Sequence, residues 1–493
     1  MAEIHTLPRT RAALTLFVLL VTIPVSLFLV LCSVTSGILN SVRKPLTTGV
    51  IPQLVFCVGV GLLTYLNSGV CASVFFTGLS VVAFYFSKDR TPTKATVMVT
   101  GGKMSKSLHF ARWFWKCGYR VVLVETSDFW CSGSRFSRAV SAFYTVTPPT
   151  LNRQAYISEL SSIAQKESVK YFVPVSSALD SVNDSYAKTA LEKLGCAGLH
   201  FSPEITEILD QKHSFSKFVE EKLSLRVPRS YKVESSSEVH SLNESLKGEF
   251  ILKNLDYDQI HRLDMFKLPC SKQQLEQYLS SLETPISKEH PWQVQEFIKG
   301  TEYAAFAVLR EGNIRAIVVS ESSSSQLNYS HKQVPQIENW LEGFAKGTKL
   351  TGQVSFDFIV DSSQTAYCIE CNPRVHSQCS VFLDKEEFGE AVLGEHWEST
   401  LKPSKNSPET YWFYNEFFKL LPNWVFNYGS KSLKEVATTL KGKEAILESE
   451  DPLPFLMMNH FQAFLLVLST FVRGRPWKKI DFCIGKVVEL NSH

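Results

Sequence analysis

Asp357, Glu370, Asn372 and Arg374 are the residues whose types and spacing could do chemistry, in two apolar stretches, Gln353–Asp361 and Tyr367–Arg374. Two carboxylates and an amide are hard oxygen ligands. With no histidine inside the motif, they suit Mg2+ held together with substrate phosphates rather than zinc, with Mn2+ as an alternative. Arg374 follows Asn372 closely enough to clamp a transferring phosphoryl group. Phe356 and Phe358 alternate with Asp357, and Ile369 separates Cys368 from Glu370. Both stretches therefore read as strands of a hairpin with their acids on one face. Two solvated edge strands that carry acids would produce the same local pattern, so the decision falls to residues upstream.

Two lysines are placed to meet phosphate. Lys212 lies in Leu209–Phe215, read as the start of a new helix with Asp210 near its beginning and Phe215 and Phe218 on the apolar side. Lys253 closes the apolar strand Phe250–Asn254, an unusual position for lysine unless its charge has a partner. Trp292–Tyr303 then gives a strand, a turn at Gly300 and a second strand from Tyr303 to Val308. Earlier, Ala95–Gly102 is a buried strand ending in two glycines, Ser105 to Cys117 has helical spacing, and Arg120–Glu125 completes a βαβ unit. A helix near residues 151–167 and a strand at Val169–Val175 continue the α/β alternation. Gly101-Gly102 is not a GxGxxG, which leaves dinucleotide binding only weakly supported.

Composition narrows the classes. A chain of 493 residues allows several domains, and a net charge of +3 without an extended basic patch argues against nucleic acid as a partner. Eleven scattered cysteines, an odd number, fit reduced cytosolic thiols better than a disulfide framework. Residues 12–42 and 46–87 contain no charged side chain, and each run reaches bilayer length. Arg9, Arg11, Arg43, Lys44, Lys88 and Arg90 flank both runs. If positive flanks stay cytosolic, each run enters and leaves on one face as a membrane hairpin; one or two ordinary spanning helices are the alternative. The membrane is thus an expected partner through residues 12–87, with the catalytic part facing the cytoplasm. Pro454 to Val472 is apolar but interrupted by Asn459, His460 and Gln462, and reads as a core or interfacial helix.

Taken in order, helix lysine, strand lysine, a Gln-Glu-Phe-Ile hinge, Glu302, strand aspartate and Glu-x-Asn-Pro-Arg resemble the ATP-grasp superfamily. The resemblance implies that α+β subdomains close on ATP, with Lys212 and Lys253 neutralising phosphates. It implies that Glu296, Phe297 and Ile298 offer backbone groups to adenine, and that Glu302 binds ribose hydroxyls. Asp357, Glu370 and Asn372 would hold Mg2+, while Arg374 and Lys253 would act in phosphoryl transfer. Two departures stand out: Leu255–Leu268 lacks a glycine-rich phosphate loop, and Ser355 takes a place where some members carry arginine.

Gly101–Leu108, Arg135–Val146, Asp451–Phe455 and Ile480–Glu489 look more narrowly like the ATP-grasp ligases of mycosporine biosynthesis, the mycosporine-glycine synthases. That resemblance implies small-molecule substrates, 4-deoxygadusol and glycine, joined through a phosphorylated enol with release of ADP and phosphate. Candidate acceptor groups are the Gly101-Gly102 turn, Lys103, Arg135, Arg138 and His376. A carboxylate–amine ligase or a non-catalytic membrane-anchored scaffold would share much of this sequence pattern, and a homo-oligomer stays open. The expected layout is an α/β and α+β chain: a membrane segment at 1–90, a Rossmann-like domain at 91–200, a two-subdomain ATP-grasp unit at 201–385 and a helix-rich extension at 386–493.

Overall fold

The computed structural model describes residues 90–177, 180–255, 265–322, 328–416, 441–474 and 477–489. The membrane segment expected at residues 12–87 lies outside them, as do residues 256–264 of the stretch that follows Lys253. Continuous apolar runs form strands covered on both faces. β1 (Thr96–Val99), β2 (Arg120–Thr126), β3 (Ala142–Val146), β4 (Val169–Val173) and β5 (Ala197–Gly198) form a parallel sheet of order β3-β2-β1-β4-β5. Helices α1 (Ser105–Lys116), α2 (Arg153–Lys166) and α3 (Ser181–Glu192) connect them. Alternate residues serve opposite layers: Met98 and Val122 pack with Leu160, whereas Val97 and Val121 pack with Leu108. At the β1–α1 turn, Gly101 has φ +72, and a Cβ there would stand 2.2 Å from Val175 O, so only glycine fits.

The expected helix start near Leu209 is instead a junction. α4 (Pro203–Asp210) ends at Asp210, Gln211 is extended, and α5 (Lys212–Phe218) begins at Lys212. Ser202 caps α4 by accepting from Ile205 N, and Pro203 occupies its first turn, so the helix starts earlier than Asp210. Asp210 thus closes one helix and Lys212 opens the next.

Two antiparallel sheets follow. β6 (Ser230–Val233), β7 (Phe250–Asn254), β8 (Phe266–Leu268) and β9 (Trp292–Glu296) have the order β6-β9-β7-β8. Helices α6 (Ser236–Ser245) and α7 (Lys272–Ser281) contribute Val239 and Leu275 to the core this sheet makes with Leu252 and Val294. The second sheet, β11-β10-β12-β13, contains β10 (Gly300–Arg310), β11 (Asn313–Glu321), β12 (Gly352–Asp361) and β13 (Ala366–Asn372). Strand β10 starts at Gly300, earlier than the expected Tyr303, because pairing with β12 extends to Asp361. From α8 (Pro335–Thr348), Trp340 meets Phe358 edge to face at 5.1 Å and Phe344 meets Phe356 at 5.0 Å. That packing dedicates the phenylalanine face of β12 to the core and leaves Asp357 on the other.

The last segments close against the first sheet. α9 (Phe388–Leu393) places Phe388 on Phe110 of α1 at 5.6 Å. α10 (Leu453–Leu456) runs through a π-helical turn, Met457–Gln462, into α11 (Ala463–Val472). Leu453–Thr470 is long and apolar enough to cross a membrane by length and composition, yet 67% of it is buried within the protein. β14 (Trp477–Asp481) and β15 (Lys486–Glu489) form a hairpin whose Cys483 O accepts from Ser105 N at 3.0 Å. Arg112 ties the layers together: Nε donates to Asp451 Oδ2 at 2.9 Å, and the other guanidinium nitrogens donate to Asp451 O and Ile446 O, both at 2.7 Å. Asp451 also accepts from Ser137 Oγ and Arg138 N. Asp451→Ala removes the carboxylate bonded to Nε of a guanidinium that is 1% exposed, leaving it the Ile446 and residue-451 carbonyls and Glu448 at 3.9 Å, and should lower unfolding free energy by roughly 2–4 kcal/mol. Denaturant unfolding of the two proteins measures this; a change below about 1 kcal/mol would place the pair among weak surface contacts.

Candidate active site

A β-bulge assembles the acidic face. Along β12 and β13, Asp357 pairs with Glu370 and Ser355 with Asn372, whereas Phe358 pairs with Cys368. Ile369 is the unpaired residue between them. Strict alternation would put Glu370 on the same side as Cys368; the extra residue turns Glu370 and Asn372 onto the Asp357 side. Cys368 and Cys371 both enter the core with Phe356 and Phe358. They are free thiols, as are the other described cysteines, and do not form a zinc site.

Placing two carboxylates together out of water is unfavourable unless cations attend them. Burial raises the Asp357 carboxyl well above the ordinary range, Glu370 and Glu302 raise it further, and Arg374 and Lys212 oppose the shift. Lys253 responds in the opposite sense: burial lowers its ammonium, with Lys212 adding to that and Glu370, Glu302 and Asp357 resisting. The helix lysine, strand lysine, turn glutamate, strand aspartate and β13 residues therefore belong to one electrostatic cluster, although they come from five elements. Glu302 is exposed on β10 and pairs with Ile359, two residues from Asp357.

Arg374 is held at this cluster by Asp210 at 3.3 Å and by Asn372 Oδ1 at 2.5 Å. The carboxyl of Asp210 is raised by burial and lowered by Arg374. Its pairing with Arg374 is a site contact that the sequence reading did not assign. Among the described residues no group of three His, Cys, Asp or Glu side chains is disposed to hold a metal alone. Asp357, Glu370 and the amide oxygen of Asn372 nevertheless fit Mg2+, which keeps waters and shares phosphate oxygens instead of requiring a protein cage.

The hinge is only partly available. Arg229 grips the Glu296 carboxylate through Nε at 3.0 Å and Nη2 at 2.9 Å, turning that side chain to structural use. Glu296 N donates to Arg229 O and Phe297 N to Glu249 O, each at 2.8 Å. Gln295, also unassigned by the sequence, accepts from Lys253 Nζ at 3.0 Å and so orients that lysine. It opens the Gln-Glu-Phe-Ile stretch, but its bond to Lys253 crosses from one strand to the next and has no sequence signal.

The acceptor candidates have diverse fates. Arg135 stacks over Phe143 at 4.7 Å and donates to Trp130 O, and Arg138 donates to Glu450 O; both serve the packed interior and its edge. His376 caps the turn at Ser377–Phe382, and burial, with Lys106 and Arg374, lowers its imidazole to about 3. The Gly101 turn and Lys103 instead line a narrow crevice at the C-terminal ends of β1, β2 and β4. Glu125, Asp180 and Asp184 line it too. Lys106, which the sequence offered no reason to separate from its neighbours, donates to Ser176 O at 3.1 Å and to Val375 O at 2.7 Å. It thereby links the crevice wall to the residue after Arg374.

Comparison with known proteins adds the fold. No family model and no curated protein matches the sequence. Among solved structures, the N5-carboxyaminoimidazole synthetase from Staphylococcus aureus is similar with a TM-score of 0.51 at 15% identity, over 70% of this chain and 89% of that one. An L-amino acid ligase from Bacillus licheniformis gives 0.41 at 12% identity, over 61% and 70%. The chain shares the overall fold of that synthetase. At such identity the likeness speaks for architecture, and chemistry has to be argued from side chains.

Asp184 supplies a pH test. It accepts from Tyr156 OH at 2.6 Å and from Ser176 Oγ, and burial, then Asp180, pushes its carboxyl up to about 7. The folded chain thus holds a proton that the unfolded chain releases at lower pH, so this group's contribution to stability falls as pH rises from about 4 through about 7. Asp184→Asn should lose less unfolding free energy across that window than the parent. Parallel pH profiles would contradict a neutral buried carboxyl.

Proposed function

We propose that the chain is an ATP-dependent, ADP-forming ligase that activates an acidic oxygen by phosphorylation and then joins the activated carbon to an amine. The observation that carries this reading is the single cluster in which Asp357, Glu370 and Asn372 meet Lys212, Lys253 and Arg374. Bound Mg2+ would neutralise phosphate charge and favour in-line transfer. Lys212 from the start of α5 and Lys253 from the facing sheet would neutralise the phosphates, with Gln295 holding Lys253. Arg374, already beside Asn372, would follow the phosphoryl group in flight. Adenine would meet the carbonyl groups of the hinge and the N–H of Ile298, and Glu302 would accept from ribose.

The finer reading is a mycosporine-glycine synthase. The enol oxygen of 4-deoxygadusol attacks the γ-phosphorus, the bond to the β-phosphate oxygen breaks and ADP leaves. Glycine nitrogen then adds to the phosphorylated carbon, inorganic phosphate departs with the former enol oxygen, and loss of the nitrogen proton gives the enaminone. Exclusion of water matters because the enol phosphate must meet an amine first. Support lies in how the stretches carrying that resemblance meet in pairs: Ser105 contacts Cys483, and Arg138 N donates to Asp451 at 3.0 Å. A carboxylate–amine ligase would use the same nucleotide residues.

Residues 12–87 are proposed to anchor the chain to a membrane with the catalytic part in the cytoplasm. A chain beginning at Thr91 should partition into the soluble fraction and keep its activity, since every proposed nucleotide ligand lies beyond residue 200; a folded but inactive product would implicate the apolar segment in the site.

Glu370→Gln should abolish turnover while preserving the fold, because it removes a charge and little volume. Lys253→Ala should mainly raise the ATP concentration needed for half-maximal rate. With 4-deoxygadusol labelled at the reacting oxygen, glycine, ATP and Mg2+, the label should appear in phosphate with equal ADP. Formation of AMP and pyrophosphate would overturn the proposed activation, and an inert mixture would overturn the choice of acceptor.

A further inference from the structure

Between Asp451 and Arg473 the chain has no acidic or basic side chain except His460, whose imidazole burial lowers to about 4. The sequence then changes character abruptly, with Arg473, Arg475, Lys478 and Lys479 around Trp477 and no acid among them. The two halves of the apolar run have different surroundings. Phe455, Leu456, Met457 and Met458 belong to the core that α1 shares. Gln462 then ties the run to the β1–α1 turn and its neighbour, since Oε1 accepts from Gly133 N at 2.7 Å and Nε2 donates to Lys103 O at 2.9 Å.

Beyond Gln462 the cover thins. In α11, Leu465, Leu466 and Leu468 are only half-buried and Val472 is 74% exposed, although a helix apolar on every side is normally enclosed by protein or by lipid. Polar groups do not compensate: Thr470 Oγ1 donates to Leu466 O at 2.8 Å and Arg473 N to Ser469 O at 3.1 Å, so these donors are spent along the helix. Trp130, 53% exposed, precedes Gly133 by three residues and so lies within about 10 Å of it by chain reach. Val472 stands roughly 15 Å beyond Gln462 at the rise of a helix.

An apolar helix end, an exposed tryptophan close to its base and positive charge just after it are the features that seat an element at a membrane surface. Charge decides the occupant. Two copies meeting through this face would bring the same cations together, whereas anionic headgroups complement them. We infer that the exposed side of α11, from Leu465 to Arg473, docks on an anionic lipid surface, with Leu468 and Val472 at the acyl boundary and Arg473 among the headgroups. Gln462 couples this contact to the β1–α1 turn, so docking fixes how the parallel sheet faces the bilayer. The inference rests on the membrane reading of residues 12–87 for bringing a bilayer within reach. A single small, salt-screened contact orients an anchored chain and does not retain an unanchored one.

Hydrogen–deuterium exchange of the full chain, reconstituted into phosphatidylcholine vesicles with or without phosphatidylserine, tests this. Amides from Leu465 to Arg473 should exchange about tenfold more slowly when phosphatidylserine is present, the scale set by one or two cations at an anionic surface. Those of β12 should be unchanged. Val472→Asp combined with Arg473→Glu alters exposed positions only, and should erase the difference while leaving the melting temperature unchanged. Equal exchange in the two vesicles, or a difference that survives the double substitution, would overturn the inference. Slowing that follows protein density instead of phosphatidylserine would assign the face to a second copy and overturn it too. Flotation of the same samples reports the anchor: a chain that fails to float with phosphatidylcholine counts against the reading of residues 12–87. In that case exchange at low ionic strength with vesicles in excess still judges α11.

Discussion

Two carboxylates forced onto one face of a hairpin set the terms for the rest of the site. Asp357 and Glu370 become cross-strand partners because one extra residue, Ile369, shifts the register of β13. Their mutual repulsion in a half-buried place needs cations, and the fold supplies them from separate directions: Lys212 from a helix start, Lys253 from the facing sheet and Arg374 from the end of β13 itself. Remove the bulge and Glu370 would turn toward Cys368 and the aromatic core. The aromatic layer of Trp340, Phe344, Phe356 and Phe358 is accordingly part of the site's construction, since it holds the opposite face of β12 inward.

The parallel sheet and the last segments of the chain form a second framework. Arg112 and Asp451 join α1 to the stretch before α10, and the β14–β15 hairpin closes over the start of α1. Lys106 on the same helix reaches both the β4 end and the loop after Arg374. A single helix therefore connects the crevice, the phosphoryl centre and the C-terminal segments, which explains why α1 is buried along nearly its whole length, polar residues included.

Much of this was legible in the residues. Alternation around Asp357, the apolar run before Lys253 and the βαβ pattern from Ala95 to Glu125 each reported a local periodicity that tertiary packing kept. The interruption of Pro454 to Val472 by polar residues also pointed to a largely buried helix. What could not be read were events set by non-local pairing. A bulge at Ile369 has no signature in an unbroken apolar run. The break at Gln211, which makes Asp210 a helix end, depends on Ser202 and Pro203 starting the preceding helix. Arg229 claiming Glu296, and Gln295 orienting Lys253, arise from strands brought together across the sheet. The closure of the hairpin over α1 follows from contacts between residues 105 and 483, too far apart in sequence for any spacing rule.

The most direct test of the central claim is Mn2+ binding followed by electron paramagnetic resonance, with and without ADP. Because two carboxylates and an amide leave the metal's coordination to be completed by phosphate and water, Mn2+ should bind tightly only when nucleotide is present, and Asp357→Asn should abolish that enhancement. Mn2+ binding that is indifferent to ADP, or an enhancement that survives Asp357→Asn, would contradict a shared metal–phosphate site on this face.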